Sequence, residues 1–113
     1  MRFEEEKIGK ILVVRVMDKR IDASSAPSFK GRMTDIVNTG ERHLVLNLAD
    51  VEFIDSTGLG AIVSSLKAIG QEGDLVISNL QETTMSLFRL TRMNRVFQNF
   101  PSEAEAVMYM EKG

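Results

Sequence analysis

The chain has 113 residues, 43% of them hydrophobic, a length that suits one compact domain spanning 1–113 around one core. Fourteen lysines and arginines against 16 acidic residues leave a net charge of -2, so no basic excess points to nucleic acid and no basic amphipathic stretch to a membrane surface. Cysteine is absent, which removes disulfide frameworks, thiolate catalysis and thiolate metal sites together, and leaves proteins or small molecules as the expected partners.

The first residues, Met1 to Lys7, lack the apolar region of a signal peptide, and no stretch approaches the ~20 apolar residues of a membrane span, so a cytoplasmic protein is the expectation. Residues 11–16, Ile-Leu-Val-Val-Arg-Val, are β-branched and apolar; with residues 2–6 and the turn chemistry of Lys7 to Lys10 they read as a hairpin. After Asp22, Ser24 and Ser25 offer N-caps and Pro27 suits a first helical turn. Ala26, Phe29, Met33, Ile36 and Val37 then recur at helical spacing as far as Gly40. Residues 43–48 read as the next strand. Leu59, Ile62, Val63, Leu66 and Ile69 predict a second helix that begins just after Ser56 and is closed by Gly70 to Gly73. Asp74 to Ser78 is a further strand, and Thr84, Leu87, Phe88 and Thr91 mark a third helix with Glu82 in its first turn. Arg95-Val96-Phe97 reads as an edge strand, and Pro101 as the opening of a last helix lined by Ala104, Val107, Met108 and Glu111. The expected fold is α/β: a mixed central sheet with an N-terminal hairpin and about four helices, mostly on one side.

In such sheets ligands bind beyond the carboxyl ends of strands, and Asp55-Ser56-Thr57-Gly58-Leu59-Gly60 falls at such an end. Asp55 or Ser56 is placed to cap the second helix, and Gly58 and Gly60 to permit close packing against the sheet. A hydroxyl at a helix N-terminus also lies where the dipole and free N–H groups would receive a phosphate, which makes Ser56 a plausible phosphoacceptor. Three enzyme readings fail. The stretch lacks the lysine of a phosphate loop and the leading glycine of Gly-x-Ser-x-Gly. His43, the sole histidine, opens a strand whose five residues would hold it about 17 Å from the serine end, and the scattered carboxylates have no metal-ligand spacing.

The same six residues resemble the signature of anti-sigma factor antagonists, the bacterial anti-anti-sigma proteins built on the STAS domain. The resemblance covers nearly the whole chain: the opening hairpin, Ile21-Asp22-Ala23, Ala26-Pro27, Leu44 to Leu48, Ser78-Asn79-Leu80, Leu90-Thr91 and Val96-Phe97. It implies that Ser56 is phosphorylated by a partner that is both an anti-sigma factor and a serine kinase, and that a PP2C-type phosphatase removes the phosphate. The unphosphorylated protein would bind its kinase and free a sigma factor, and the phosphorylated form would let go. An interface fitted to a neutral hydroxyl should reject a doubly charged group whose desolvation costs several kcal/mol.

Asp22 and Asp55 resemble the family's acidic residues beside the acceptor, although Asp22 also suits a plain turn acid. Thr57, Gly58, Leu59 and Gly60 would shape the kinase-facing helix start. Met85, on an unusually apolar third helix, is a further candidate contact or else a gap filler. The resemblance implies no catalysis and no cofactor. Lys19-Arg20-Ile21-Asp22 stands where the family often has Gly-x-Leu-Asp, so the partner's identity is left open. Two other readings stand beside this one: a STAS subunit that never cycles phosphate, such as an accessory of a lipid-transport ATPase, and a nucleotide-binding protein using the Asp55–Gly60 turn as an anion cradle.

Overall fold

A computed structural model describes residues 1–112; the expected domain span ends on Gly113, which lies outside the described residues. In chain order the elements are β1 (Phe3–Ile8), β2 (Ile11–Val16), β3 (Arg20–Ile21), α1 (Ala26–Asn38), β4 (His43–Asn47), β5 (Phe53–Ile54) and α2 (Ser56–Ile69). There follow β6 (Asp74–Ser78), α3 (Glu82–Leu90), a 3-10 turn (Met93–Arg95), β7 (Asn99–Phe100) and α4 (Glu103–Lys112). The main sheet runs β1-β2-β4-β6-β7, antiparallel between β1 and β2 and parallel thereafter; β3 and β5 form a separate short parallel pair. The hairpin turns on two residues, Gly9 and Lys10, with Gly9 at φ +59, a conformation glycine reaches without strain.

Both faces of the central strands are covered, which is why β2, β4 and β6 read as nearly continuous apolar runs. Leu12, Val14, Leu44, Leu46, Leu75 and Ile77 point into a core shared with α1, α2 and α3. The alternate residues Ile11, Val13, Val45 and Val76 point the other way, onto Ala106 and Met110 of α4. Three helices on one face and one on the other match the mixed α/β sheet expected. No helix of the described residues is long and apolar enough to cross a membrane.

The buried stripe of α1, Ala26, Phe29, Met33, Ile36 and Val37, is the predicted one, and Pro27 sits in its first turn. On α2 the stripe is rotated. Ala61, Ile62, Ser65 and Ile69 are buried while Leu59, Val63 and Leu66 are only partly so, because small residues let α2 lie close to its neighbours and the larger ones seal the border. Ser65 spends its hydroxyl on the Ala61 carbonyl at 2.9 Å, so its burial leaves no unpaired group. On α3, Thr84 and Phe88 are buried, Leu87 partly, and Thr91 lies beyond the helix, exposed.

Two expectations for the C-terminal part are corrected. Arg95-Val96-Phe97 is not a strand: the 3-10 turn ends there so that Phe97 can drop into the core against Phe88, and the edge strand comes later, at Asn99–Phe100. The buried positions of α4 are Ala106 and Met110, not Ala104, Met108 or Glu111; Val107 packs at their border. An ion cluster sets that rotation. Glu103, at the first turn of α4, accepts from Arg15 Nε at 2.6 Å and Nη2 at 2.8 Å and from the Asn47 amide, pinning the helix across β2 and β4.

These bonds from Arg15, against the cost of partial burial and with help from Asn47, hold the Glu103 carboxyl below its ordinary range. A depressed carboxyl stabilises above its unfolded pKa, and the contribution disappears as pH falls through the folded one. Glu103→Gln is therefore expected to cost about 1 kcal/mol near pH 7 and progressively less below about pH 4. Urea midpoints of both proteins across that range check this; a gap independent of pH would mean that the charge of Glu103 contributes nothing.

Candidate functional site

The β3–β5 pair positions the site. Ile21 lies opposite Ile54, so the residues that follow, Asp22 and Asp55, emerge side by side, and the Asp55 N–H donates to the Ile21 carbonyl at 3.3 Å. Asp55 is the N-cap of α2: one carboxylate oxygen accepts from the Gly58 N–H at 2.8 Å and the other from the Ala23 N–H at 3.0 Å. One side chain thus caps one helix and ties down the loop that leads into the other.

Asp22 organises that loop. One of its oxygens accepts from the Ser24 N–H (3.0 Å), the Ser24 hydroxyl (2.7 Å) and the Ser25 N–H (3.2 Å), and the other from Arg20 Nε at 3.1 Å. The Ser24 hydroxyl foremost, then the Arg20 guanidinium, then the two N–H groups hold its carboxyl well below the usual carboxylate range. The serines expected to cap α1 do not; Ser25 occupies the cap position without a side-chain cap bond, and its hydroxyl accepts from the Asp22 N–H at 3.0 Å. The turn-acid reading of Asp22 is the one its bonds describe.

Ser56 and Thr57 are the first two residues of α2, both exposed. Among the described residues neither hydroxyl makes a hydrogen bond. Since Asp55 serves the third N–H and its carbonyl the fourth, the N–H groups of residues 56 and 57 are those left at the positive end of the helix. Gly58 is buried, and a Cβ there would stand 2.0 Å from the Ile21 carbonyl oxygen. Gly60 differs from the expectation: a Cβ would meet nothing within 4 Å, so this glycine permits no close packing. Leu59 packs its side chain on the core. Met85 is half-buried on α3, a separate element anchored at its start by Gln81 to the Ala49 carbonyl (2.7 Å) and Thr83 to the Glu52 carbonyl (3.1 Å).

The sequence model of the STAS domain matches residues 2–106. An anti-sigma-B factor antagonist of Staphylococcus aureus is 31% identical over 91 residues, 80% of this chain and 76% of its own length. The chain belongs to the anti-sigma factor antagonist family of STAS domains. Solved structures share the fold. An anti-sigma factor antagonist from Mycobacterium paratuberculosis superposes with a TM-score of 0.89 at 24% identity, over 97% of this chain and 93% of that one. The Bacillus cell fate determinant SpoIIAA, in its phosphorylated form, gives 0.71 at 17% identity over 96% and 98%.

In this STAS domain two features of the site were invisible in the motif. The Arg20 guanidinium lies 4.2 Å from the centre of the exposed Phe53 ring, so one residue of the stretch that departs from the family pattern makes a cation–π contact across the β3–β5 pair. A groove of about 570 Å³ runs between Ala23, Pro27 and Lys30 on the α1 side and Thr57, Gly60 and Ser64 of α2. Gly60 is exposed on its wall. His43 takes no part; it opens β4 with Nδ1 3.5 Å from Asp74 of β6.

The division of labour between Asp55 and Ser56 is measurable. Asp55→Ala removes a cap and a loop tie and is expected to lower stability by about 2 kcal/mol. Ser56→Ala, which removes an exposed hydroxyl, should stay within about 0.5 kcal/mol of wild type. Urea unfolding of the two variants checks the contrast, and equal losses would contradict it.

Proposed function

We propose that this STAS domain is a phosphorylation-controlled anti-sigma factor antagonist. Unphosphorylated, it binds an anti-sigma factor that is also a serine kinase, through the α2 start at Asp55 to Gly60 with Asp22 behind it and Met85 at the flank, and so releases the kinase's target. Phosphate on Ser56 abolishes that binding, and a PP2C-type phosphatase restores it. The observation that carries the reading is the exposed, unbonded Ser56 hydroxyl on the first residue of α2, beside a cap made entirely by its neighbour. A kinase can reach that hydroxyl without unfolding anything, and a phosphate there meets free N–H groups at a helix N-terminus, so the modified protein stays folded.

The test is intact-mass and peptide mapping of wild type and Ser56→Ala after incubation with ATP and a cytoplasmic extract of the source cells. One phosphate on Ser56, absent from the variant, is the expected result. Phosphate on Thr57 instead, whose exposed hydroxyl is one residue away, would move the switch. No phosphate, with partners still recovered on the immobilised protein, would favour a STAS subunit that assembles constitutively.

A further inference from the structure

The surface around the end of α3 gathers three arginines that have no acidic partner among the described residues. Arg15, Arg20 and Arg32 each pair with a carboxylate. Arg89, Arg92 and Arg95 pair with none among the described residues, and residues 83–102 contain no acidic side chain at all. The three arginines are held in register by successive turns: the Arg92 N–H donates to the Arg89 carbonyl at 3.1 Å and the Arg95 N–H to the Arg92 carbonyl at 3.1 Å. Between and beside them stand Leu90, 85% exposed, and Val96, 50% exposed. Beneath them the platform is fixed, because Phe88 and Phe97 are fully buried and meet edge to face with ring centroids 6.0 Å apart.

The backbone at Arg92 adds an independent observation. It lies at φ 62, ψ 17, just past the C-cap of α3, where glycine is the residue that fits without strain. An arginine occupies it against that preference. Favourable interaction of cations with a helix C-terminus accounts for a positive charge near the last turn, but not for the two bare apolar side chains beside it.

We propose that this surface is a second docking site, for an acidic protein segment that carries apolar side chains: its carboxylates meet the three guanidinium groups and its apolar residues cover Leu90 and Val96. Arginine is enriched in protein interfaces, and the exposed apolar side chains beside it supply area for a partner to cover. Nucleic acid fits poorly, since the chain is net negative and the patch offers no exposed aromatic ring to stack a base. An anionic membrane ordinarily demands a larger basic cluster, of about four to eight cations. The patch belongs to another element than the phosphoacceptor turn: α3 begins at the anchor to residues 49–52, and the patch lies at its far end, about 13 Å along the helix from that start. With the partner on the Ser56 turn reaching no further along α3 than Met85, binding at residues 89–96 is expected not to depend on phosphate on Ser56.

The test uses the full chain, isotope-labelled for NMR, and a short synthetic helical peptide with glutamates along one face and leucines bordering them. Amide shifts confined to residues 88–97 are expected, with affinity falling about tenfold in the triple variant Arg89→Gln/Arg92→Gln/Arg95→Gln, falling also in Leu90→Ser, and unchanged in Ser56→Asp. Arg92→Gly separates binding from folding: it should raise the urea midpoint by relieving the left-handed backbone while weakening the peptide complex. Equal binding of a glutamine version of the peptide, indifference to Leu90→Ser, shifts centred on the Ser56 turn, or stronger binding to phosphatidylglycerol vesicles or duplex DNA than to the peptide would each overturn the proposal. A dependence on Ser56→Asp would overturn the independence of the two sites, whereas a failure of Ser56 to accept phosphate leaves this experiment unaffected.

Discussion

Gly58→Ala is expected to destabilise the protein by about 3 kcal/mol, reversing the usual sign of that substitution, since alanine in a helix ordinarily improves on glycine by about 1 kcal/mol. The methyl group would have to occupy the space of the Ile21 carbonyl, with 2.0 Å between the Cβ and that oxygen. The oxygen cannot simply swing away, because it accepts the Asp55 N–H in the short ladder that places Asp22 beside Asp55. Accommodation must push α2 off β3 and so disturb the cap and the loop tie together. Gly60→Ala is the control: with nothing within 4 Å it should gain about 0.5–1 kcal/mol. Urea unfolding of both variants decides the matter, and a stabilised Gly58→Ala would show that β3 and α2 are not rigidly apposed.

Phosphate on Ser56 is expected to weaken binding of the kinase partner by about 100-fold or more while leaving the urea midpoint of the free protein within error or slightly raised. The two readouts diverge because the charge acts in two settings. In the free domain, the added charge of about -1.5 to -2 is exposed at the positive end of α2, where water and free N–H groups meet it. In a complex fitted to a neutral hydroxyl the same charge must be stripped of water beside Asp55, with no arginine or lysine of the turn itself to replace it. Ser56→Asp should reproduce the effect only in part, by about tenfold, since a carboxylate has less charge and fewer acceptor oxygens. Calorimetric titration of the purified partner into wild type, phosphorylated protein, Ser56→Ala and Ser56→Asp gives the ranking. Equal affinities for the wild type and the phosphorylated protein would refute the electrostatic account, and a collapsed midpoint in the phosphorylated protein would refute its confinement to the interface.

Patterns that depend on one segment alone were legible in the sequence. The stripe of α1 is set by large side chains against one sheet face, so its spacing identified every buried position, and the hairpin was marked by β-branched residues around a glycine turn. Patterns that depend on what another segment does were not. On α2 the large aliphatic residues suggested the buried face, but Gly58 faces a carbonyl 37 positions earlier in the chain and the small residues ended up inside. On α4, a carboxylate drawn to Arg15 and Asn47 fixed the rotation, and neither partner is nearby in sequence. At Arg95 to Phe97 the β-branched and aromatic letters suggested a strand, and the pull of Phe97 toward Phe88 won. At the site, the motif marked the helix start and the exposed serine. The choice between Asp55 and Ser56 as cap, and the employment of Asp22 within its own loop, depended on side-chain directions that spacing does not encode.

Because the cap of α2 rests on Asp55, position 56 carries no architectural duty. A single codon change there can delete or alter the hydroxyl with no compensating change elsewhere, so the covalent control proposed above is one that a single evolutionary step could add or remove. Position 55 has no such freedom, and neither does 58. The part of the motif open to drift is its chemical centre, framed by two positions that are not.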